Sequence, residues 1–404
     1  MKPIYIAPFL LALCLLASCS SGDDEPEVIV PQDATLTLSV APGSVLTKSS
    51  PRATTAVETL AGEAKINNIC AALFKEDGSL LTSSYVDYAP GAGESKTPDT
   101  IRISAKSITK YTYVILVNVG NKSFSTFDKL KDETFALKDI KVDNQPMCSQ
   151  FKTVELKPGA NYIGSKEVFT NAPADATFLN ESAVKVYRTA SRIDFEKIGV
   201  KWSDENATDL QKASARFLLK RVYATQVKSR TYLTDRDAGN QSVEVKNGTP
   251  GLSYLDGKPD SNDYLETLDL YDSAGKTDLI IIDNESSTDI AEINGGNPWR
   301  CYVTENTEND ITLPTTLILK GDILPATGND DPILKDRYFF VRLQGLLDDK
   351  GKEFVGIIRN YVIRISATIT GKGSGDETYR ENASAIVTVI PDEWSVEYQK
   401  EPVN

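Results

Sequence analysis

The sequence of 404 residues contains no histidine. That absence removes Ser-His-Asp and Cys-His catalysis, histidine metal sites and histidine pH switching. Carboxylates, tyrosine and lysine remain, so an enzyme is disfavoured rather than excluded. Cysteine is scarce, with five residues and no CxxC pair. An odd, scattered set specifies neither a metal knuckle nor a disulfide framework. Cys70 and Cys301 sit in strand-like runs and read as small buried hydrophobes. Positive charge is also short, with 44 Lys and Arg against 57 Asp and Glu. The resulting net charge of −13 repels phosphate backbones and argues against a nucleic-acid partner. No fixed-period repeat, Walker A motif or GxSxG elbow occurs, and no catalytic, cofactor or metal site is assigned.

Long apolar runs are missing beyond the N-terminus, so no later segment reaches the ~18 residues a spanning helix needs. The first residues carry an address. Lys2 supplies a positive start, and Ile4–Leu16 has the length of a signal h-region. Leu16-Ala17-Ser18-Cys19 resembles the bacterial lipobox. That resemblance implies removal of residues 1–18 and a lipid on Cys19. Ser20–Glu27 is polar and acidic and reads as a solvated tether.

The whole sequence is 40% hydrophobic and 25% charged, an ordinary globular composition. Its length fits two domains. The pattern is all-β. Leu36, Leu38 and Val40 alternate with hydroxyl residues along Thr35–Val40. Further strands are expected at 66–74, 101–105, 111–119, 151–156, 184–200, 217–233, 279–282, 299–304, 312–324, 338–343, 361–370 and 385–390, rich in Val, Ile, Thr and Tyr. Phe124, Phe127 and Leu130 predict one short helix over 124–137. The stretch 171–182 is the expected domain boundary. Asp235–Gly239 loosely matches a calcium loop but lacks its third ligand and closing Glu, so a hairpin turn is expected. Gly371–Gly375 follows a strand with no helix pattern after it, and reads as a hairpin loop rather than a phosphate cradle.

The two ends carry the functional argument. Strand Ala34–Val40 precedes a small, polar linker in which Arg52 is the only Arg and Lys48 the only Lys. Such a linker is protease-sensitive. At the C-terminus, Trp394, Val396 and Tyr398 alternate with polar residues. A strand with one apolar face can close its own sheet or complete a neighbour's.

These features together resemble the FimA-type fimbrillins of Bacteroidales, which build type V pili. The resembling stretches are the lipobox to Cys19, Ala34–Val40 with its linker, Glu63–Ile69, Tyr113–Gly120, Leu156–Gly164, Arg188–Ile193, Ile358–Tyr361 and Pro391–Trp394. The resemblance implies two β-sandwich-like, transthyretin-like domains in tandem. Residues 19–52 would be the lipidated tether and removable strand, 53–180 the N-terminal domain, and 181–404 the C-terminal domain with donor strand 393–404. It implies an outer-membrane lipoprotein precursor that a protease cuts after a basic residue. Arg52 before Ala53 is that site, with Lys48 the fallback. The strand carrying Leu36, Leu38 and Val40 then leaves. A strand carrying Trp394, Val396 and Tyr398, from another copy, takes its place in a cell-surface fimbrium. Partners so implied are other copies, anchor and tip pilins, outer-membrane lipid, the protease, and host or bacterial surface ligands. A cleavable start combined with a donor-like end favours a stalk subunit. The alternatives are a tip or accessory pilin, and a lipid-anchored glycan-binding protein, which would need a surface aromatic platform.

Overall fold

The computed structural model describes residues 30–42, 60, 62–88, 99–107, 109–234, 253–257, 265, 267–270, 280–307, 313–327, 331–348, 350–377 and 385–393. Cys19, Lys48, Arg52, Ala53, Trp394, Val396, Tyr398 and the stretch Asp235–Gly239 lie outside them.

The described residues are mostly strand and surround two large apolar cores. In chain order the first half runs β1 (Asp33–Pro42), β2 (Asn68–Phe74), β3 (Leu80–Asp87), β4 (Thr100–Lys106) and β5 (Lys110–Val117). Then come α1 (Phe127–Lys131), β6 (Thr134–Ala136), β7 (Met147–Ser149), β8 (Lys152–Glu155), β9 (Gly159–Ile163), β10 (Thr177–Asn180) and β11 (Val184–Arg188). One path of paired strands reads β10-β9-β1-β11-β7-β5-β2-β3, with β4 also on β1 and β8 also on β5. Its period-two residues meet in one core: Leu36 and Leu38 pack with Ile69, Ile103, Ile115 and Val186.

β2 is buried on both faces. Ile69, Ala71 and Leu73 face that core, while Cys70, Ala72 and Phe74 join a smaller cluster with Leu116, Phe124 and Leu130. Cys70, Cys148 and Cys301 are buried.

The expected helix over 124–137 is shorter. Thr126 caps α1 by accepting from the Lys129 amide, and the helix ends at Asp132. Thr134–Ala136 turns into strand β6 instead. It pairs with β14 (Arg230–Tyr232), which follows β12 (Ser191–Val200) and β13 (Arg216–Lys228). Leu137 and Ile140 then pack into the second core. Tertiary pairing with a distant strand overrides the local helical spacing here.

Two other expected strands are split. The run 184–200 breaks at Thr189–Ala190, where the chain passes from β11 in the first sheet to β12 in another. The expected division at 180/181 thus falls before β11, whose Val184 and Val186 still belong to the first core. The run 217–233 breaks at Ser229 into β13 and β14.

The second half packs two sheets around Phe195, Trp202, Phe217, Trp299, Phe339 and Ile365. One sheet holds β12 between the strands Trp299–Val303, Ser286–Asp289 and Tyr361–Ile369. The strand Ala385–Glu393 follows, antiparallel to Tyr361–Ile369. The other sheet is built on β13 and Thr316–Leu324. Trp202 and Trp299 are buried, so neither contributes to an exposed aromatic platform. In the loop 371–375, the carbonyls of Lys372 and Gly373 accept from Arg337 at 2.7 and 2.6 Å. Carbonyls facing a guanidinium are the reverse of an amide cradle for phosphate.

Candidate functional site: the groove of the first strand

β1 is the first described strand, yet it lies inside the sheet. On one side it runs antiparallel to β4, with Leu36 opposite Ile103 and Leu38 opposite Ile101. On the other it runs parallel to β9, with Leu36 opposite Asn161 and Leu38 opposite Ile163. Beyond Leu38 it joins β11, with Val40 opposite Val184 and Pro42 opposite Val186. Leu36 and Leu38 are fully buried, and Ala34 and Val40 nearly so. Thr35 and Thr37 on the other face are half-buried.

Side chains also tie β1 in place. Buried Asn161 donates to the carbonyls of Thr35 at 3.2 Å and Lys157 at 2.8 Å, and its Oδ1 accepts from the Lys157 amide at 2.9 Å. The Gln32 amide donates to Ser107 Oγ at 2.9 Å. The Val40 amide donates to the Asp99 carbonyl at 2.8 Å. Lys106 meets Asp33 at 2.7 Å and holds its carboxyl below the usual range, but this pair is exposed and contributes little. Tyr88 donates to the Thr100 carbonyl next to the groove, and burial pushes its phenol up to about 12.

Ser39 differs from the other outward residues. It is buried, and its Oγ has no hydrogen-bond partner. A buried hydroxyl left unsatisfied costs about 1–3 kcal/mol. Beside it lies Gly164, at φ +140°.

Past the linker, Glu63 enters a buried ionic cluster. The Leu60 amide donates to Glu63 Oε2 at 2.9 Å. Arg192 of β12 reaches both Glu63 oxygens at 2.7 Å, and the Tyr302 hydroxyl donates to Oε1 at 2.8 Å. Arg192 also donates to Asp194 at 2.7 and 2.8 Å. Arg188, at the end of β11, donates to the Glu63 carbonyl at 3.0 Å. Burial lowers the Arg188 guanidinium to about 10 and pushes the Tyr302 phenol up. The Arg188 amide donates to Asn360 Oδ1 at 3.0 Å. Asn118 closes the set, accepting from the Asn67 amide at 2.7 Å and donating to the Lys65 carbonyl at 2.8 Å. Four stretches far apart in sequence, 63–69, 113–120, 188–193 and 358–361, therefore meet at one place.

Of the expected site residues, the structure places Leu36, Leu38 and Val40 together in the first core. Glu63, Arg188, Arg192 and Asp194 were not singled out as a cluster by sequence. The available signal was two Arg four residues apart in a run otherwise patterned for burial.

The region from β1 onward matches a known family. Residues 34–213 match the family described as major fimbrial subunit protein (FimA). The matched region holds nearly all of β1, both strands that flank it, and Glu63, Arg188, Arg192 and Asp194. A "putative fimbrium tip subunit Fim1C" of Parabacteroides distasonis is 27% identical over 205 residues, covering 48% of this chain and 51% of the relative. The chain thus aligns with about half the length of that curated relative. Among solved structures, a "putative cell adhesion protein" from Parabacteroides distasonis has a TM-score of 0.64 at 20% identity, covering 89% of this chain and 97% of the other. A fimbrilin (FimA) from Porphyromonas gingivalis W83 has a TM-score of 0.57 at 20% identity, covering 91% of this chain and 99% of the other. At that identity the two structures speak to the fold alone.

Proposed function

We propose that this chain is a structural pilin, a stalk subunit of a surface fimbria. It is exported as an outer-membrane lipoprotein on Cys19, cut between Arg52 and Ala53, and polymerised by strand exchange. Its role is structural rather than enzymatic. The observation that carries this reading is the place of β1, a near-terminal strand buried between β4 and β9. Burying three or four apolar side chains at about 1.5–3 kcal/mol each contributes roughly 5–10 kcal/mol before entropy. While joined to the chain, β1 sits at about millimolar effective concentration or more, and a donor from another molecule competes poorly. A cut at Arg52 ends that advantage. The departed strand leaves unpaired backbone groups on β4 and β9, which a strand of matching alternation satisfies. Residues 393–404, with Trp394, Val396 and Tyr398, supply that pattern. Head-to-tail donation that does not close yields a filament.

The division into a removable segment 19–52, a first domain and a second domain follows from this reading. With the second domain taken as 181–404, the change of sheet at Thr189–Ala190 supports a boundary in that part of the chain. A second reading, a tip or accessory pilin, is supported by the name of the 27% identical relative.

The test uses the chain from Ser20, treated with an Arg-specific protease and followed on an unboiled SDS gel. A ladder of multimers whose subunits begin at Ala53 is expected. A clean cut at Arg52 with no ladder sinks the stalk reading. Antibody labelling of fimbriae separates the two pilin readings, along the shaft for a stalk and at one end for a tip.

A further inference from the structure

We propose that Ser39 and Gly164 form a seat that decides which strand the groove accepts and in which register, its exchanged occupant being an extended segment of a second copy of this chain. The second part rests on the strand-exchange reading above. The seat itself rests on geometry. Parallel pairing sets Leu38 opposite Ile163, which brings Ser39 beside Gly164. A Cβ built on Gly164 would lie 2.2 Å from Ser39 Oγ, 2.9 Å from Ser39 Cβ and 2.8 Å from a ring carbon of Phe169. The space that glycine leaves is therefore already filled by serine. Phe169 cannot yield freely, because its ring centroid lies 4.9 Å from that of Tyr162 and 6.3 Å from that of Phe178.

Among the outward residues of β1, Thr35, Thr37 and Ala41 are half-buried, and Ser39 alone is 4% exposed. A slip of one residue sends every side chain to the wrong face. A slip of two residues toward one end places the larger Thr37 in the seat and is barred, whereas a slip toward the other end brings the small Ala41 there, so the seat fixes register in one direction. Only a small residue between two apolar ones fits. The C-terminal sequence has that pattern: Ser395 stands between Trp394 and Val396 as Ser39 stands between Leu38 and Val40. Ser39 is also a replaceable occupant, since its buried hydroxyl has no partner and alanine would fill the seat without that cost.

The first arm of the test measures amide hydrogen exchange over residues 33–42 in the intact chain. Ser39→Leu is expected to lose protection there by about 100-fold or more, while Ser39→Ala and Thr37→Leu stay within about threefold. Protection of β2 and β5 in the same sample reports that the core is folded. Wild-type protection in Ser39→Leu overturns the seat. The second arm cuts the chain after Arg52 and adds synthetic peptides of residues 33–42 or 390–402. Parent peptides and Ser39→Ala are expected to enter, and peptides with Ser39→Leu or Ser395→Leu are not. Equal entry of the leucine peptides overturns the selection of a partner. If no parent peptide enters, strand exchange itself fails and partner selection falls with it. The first arm still stands on its own as a measure of the seat.

Discussion

Arg192 holds Glu63 through both carboxylate oxygens at 2.7 Å, 129 residues away in sequence, and neither side chain is more than 1% exposed. Glu63 stands just after the linker that contains Arg52, and Arg192 is the second residue of β12. The chain that follows the linker is thus fastened to the second half of the protein, whereas the strand pairings of β1 among the described residues lie within the first sheet.

Removing one member of that pair strands charge in a dry place. Glu63→Ala is expected to cost about 3–5 kcal/mol, because Arg192 and Arg188 lose a buried anion. Urea denaturation measures the loss. The double variant with Arg192→Leu should recover part of it, and a cost equal to the sum of both single changes would deny the coupling.

The hold on β1 is hydrophobic. Leu36→Ala is expected to destabilise by about 2–5 kcal/mol, since Leu36 is fully buried. Lys106→Ala, which breaks only the exposed pair with Asp33, should leave the denaturation midpoint unchanged within error.

Processing should depend on one basic residue. Arg52→Ala is expected to keep the protein monomeric after protease treatment, as read by size-exclusion chromatography. Filaments from that variant, with Lys48 also uncut, count against the cleavage switch. Deleting Glu393–Asn404 should leave a subunit that accepts a strand and donates none; long filaments from the truncation would remove the donor assignment.

Stability should fall in alkali. Burial raises the Tyr88 and Tyr113 phenols to about 12 in the fold, against about 10 in the open chain. Their folded values are raised, so the contribution is complete below about pH 10 and is lost as pH climbs from there toward 12. Absorbance titration at alkaline pH should show a late class of tyrosines, reduced in Tyr88→Phe and Tyr113→Phe. Titration of every tyrosine near pH 10 while the fold persists would contradict it.

Much of the fold was legible. Alternation at Leu36, Leu38 and Val40 predicted a one-faced strand, and burial in a single core follows from that period. The β character of the chain read correctly from β-branched residues between turn residues. What failed did so for a tertiary reason. Thr134–Ala136 has helical neighbours in sequence, but its backbone groups find partners in β14. The runs 184–200 and 217–233 look continuous because each half is apolar, and apolarity does not say which sheet a strand joins.

The sequence by itself determined the strand period, the acidic balance, the absence of histidine chemistry and the order of motifs that resembles the FimA-type fimbrillins. Those are local properties, carried by side chains and their spacing. Only the tertiary structure decided that β1 lies inside a sheet, that Glu63 meets Arg192, and that Ser39 fills the space Gly164 leaves. Each of those depends on two segments distant in sequence brought together. Pairing register and burial settle such contacts, and neither is written in either segment alone.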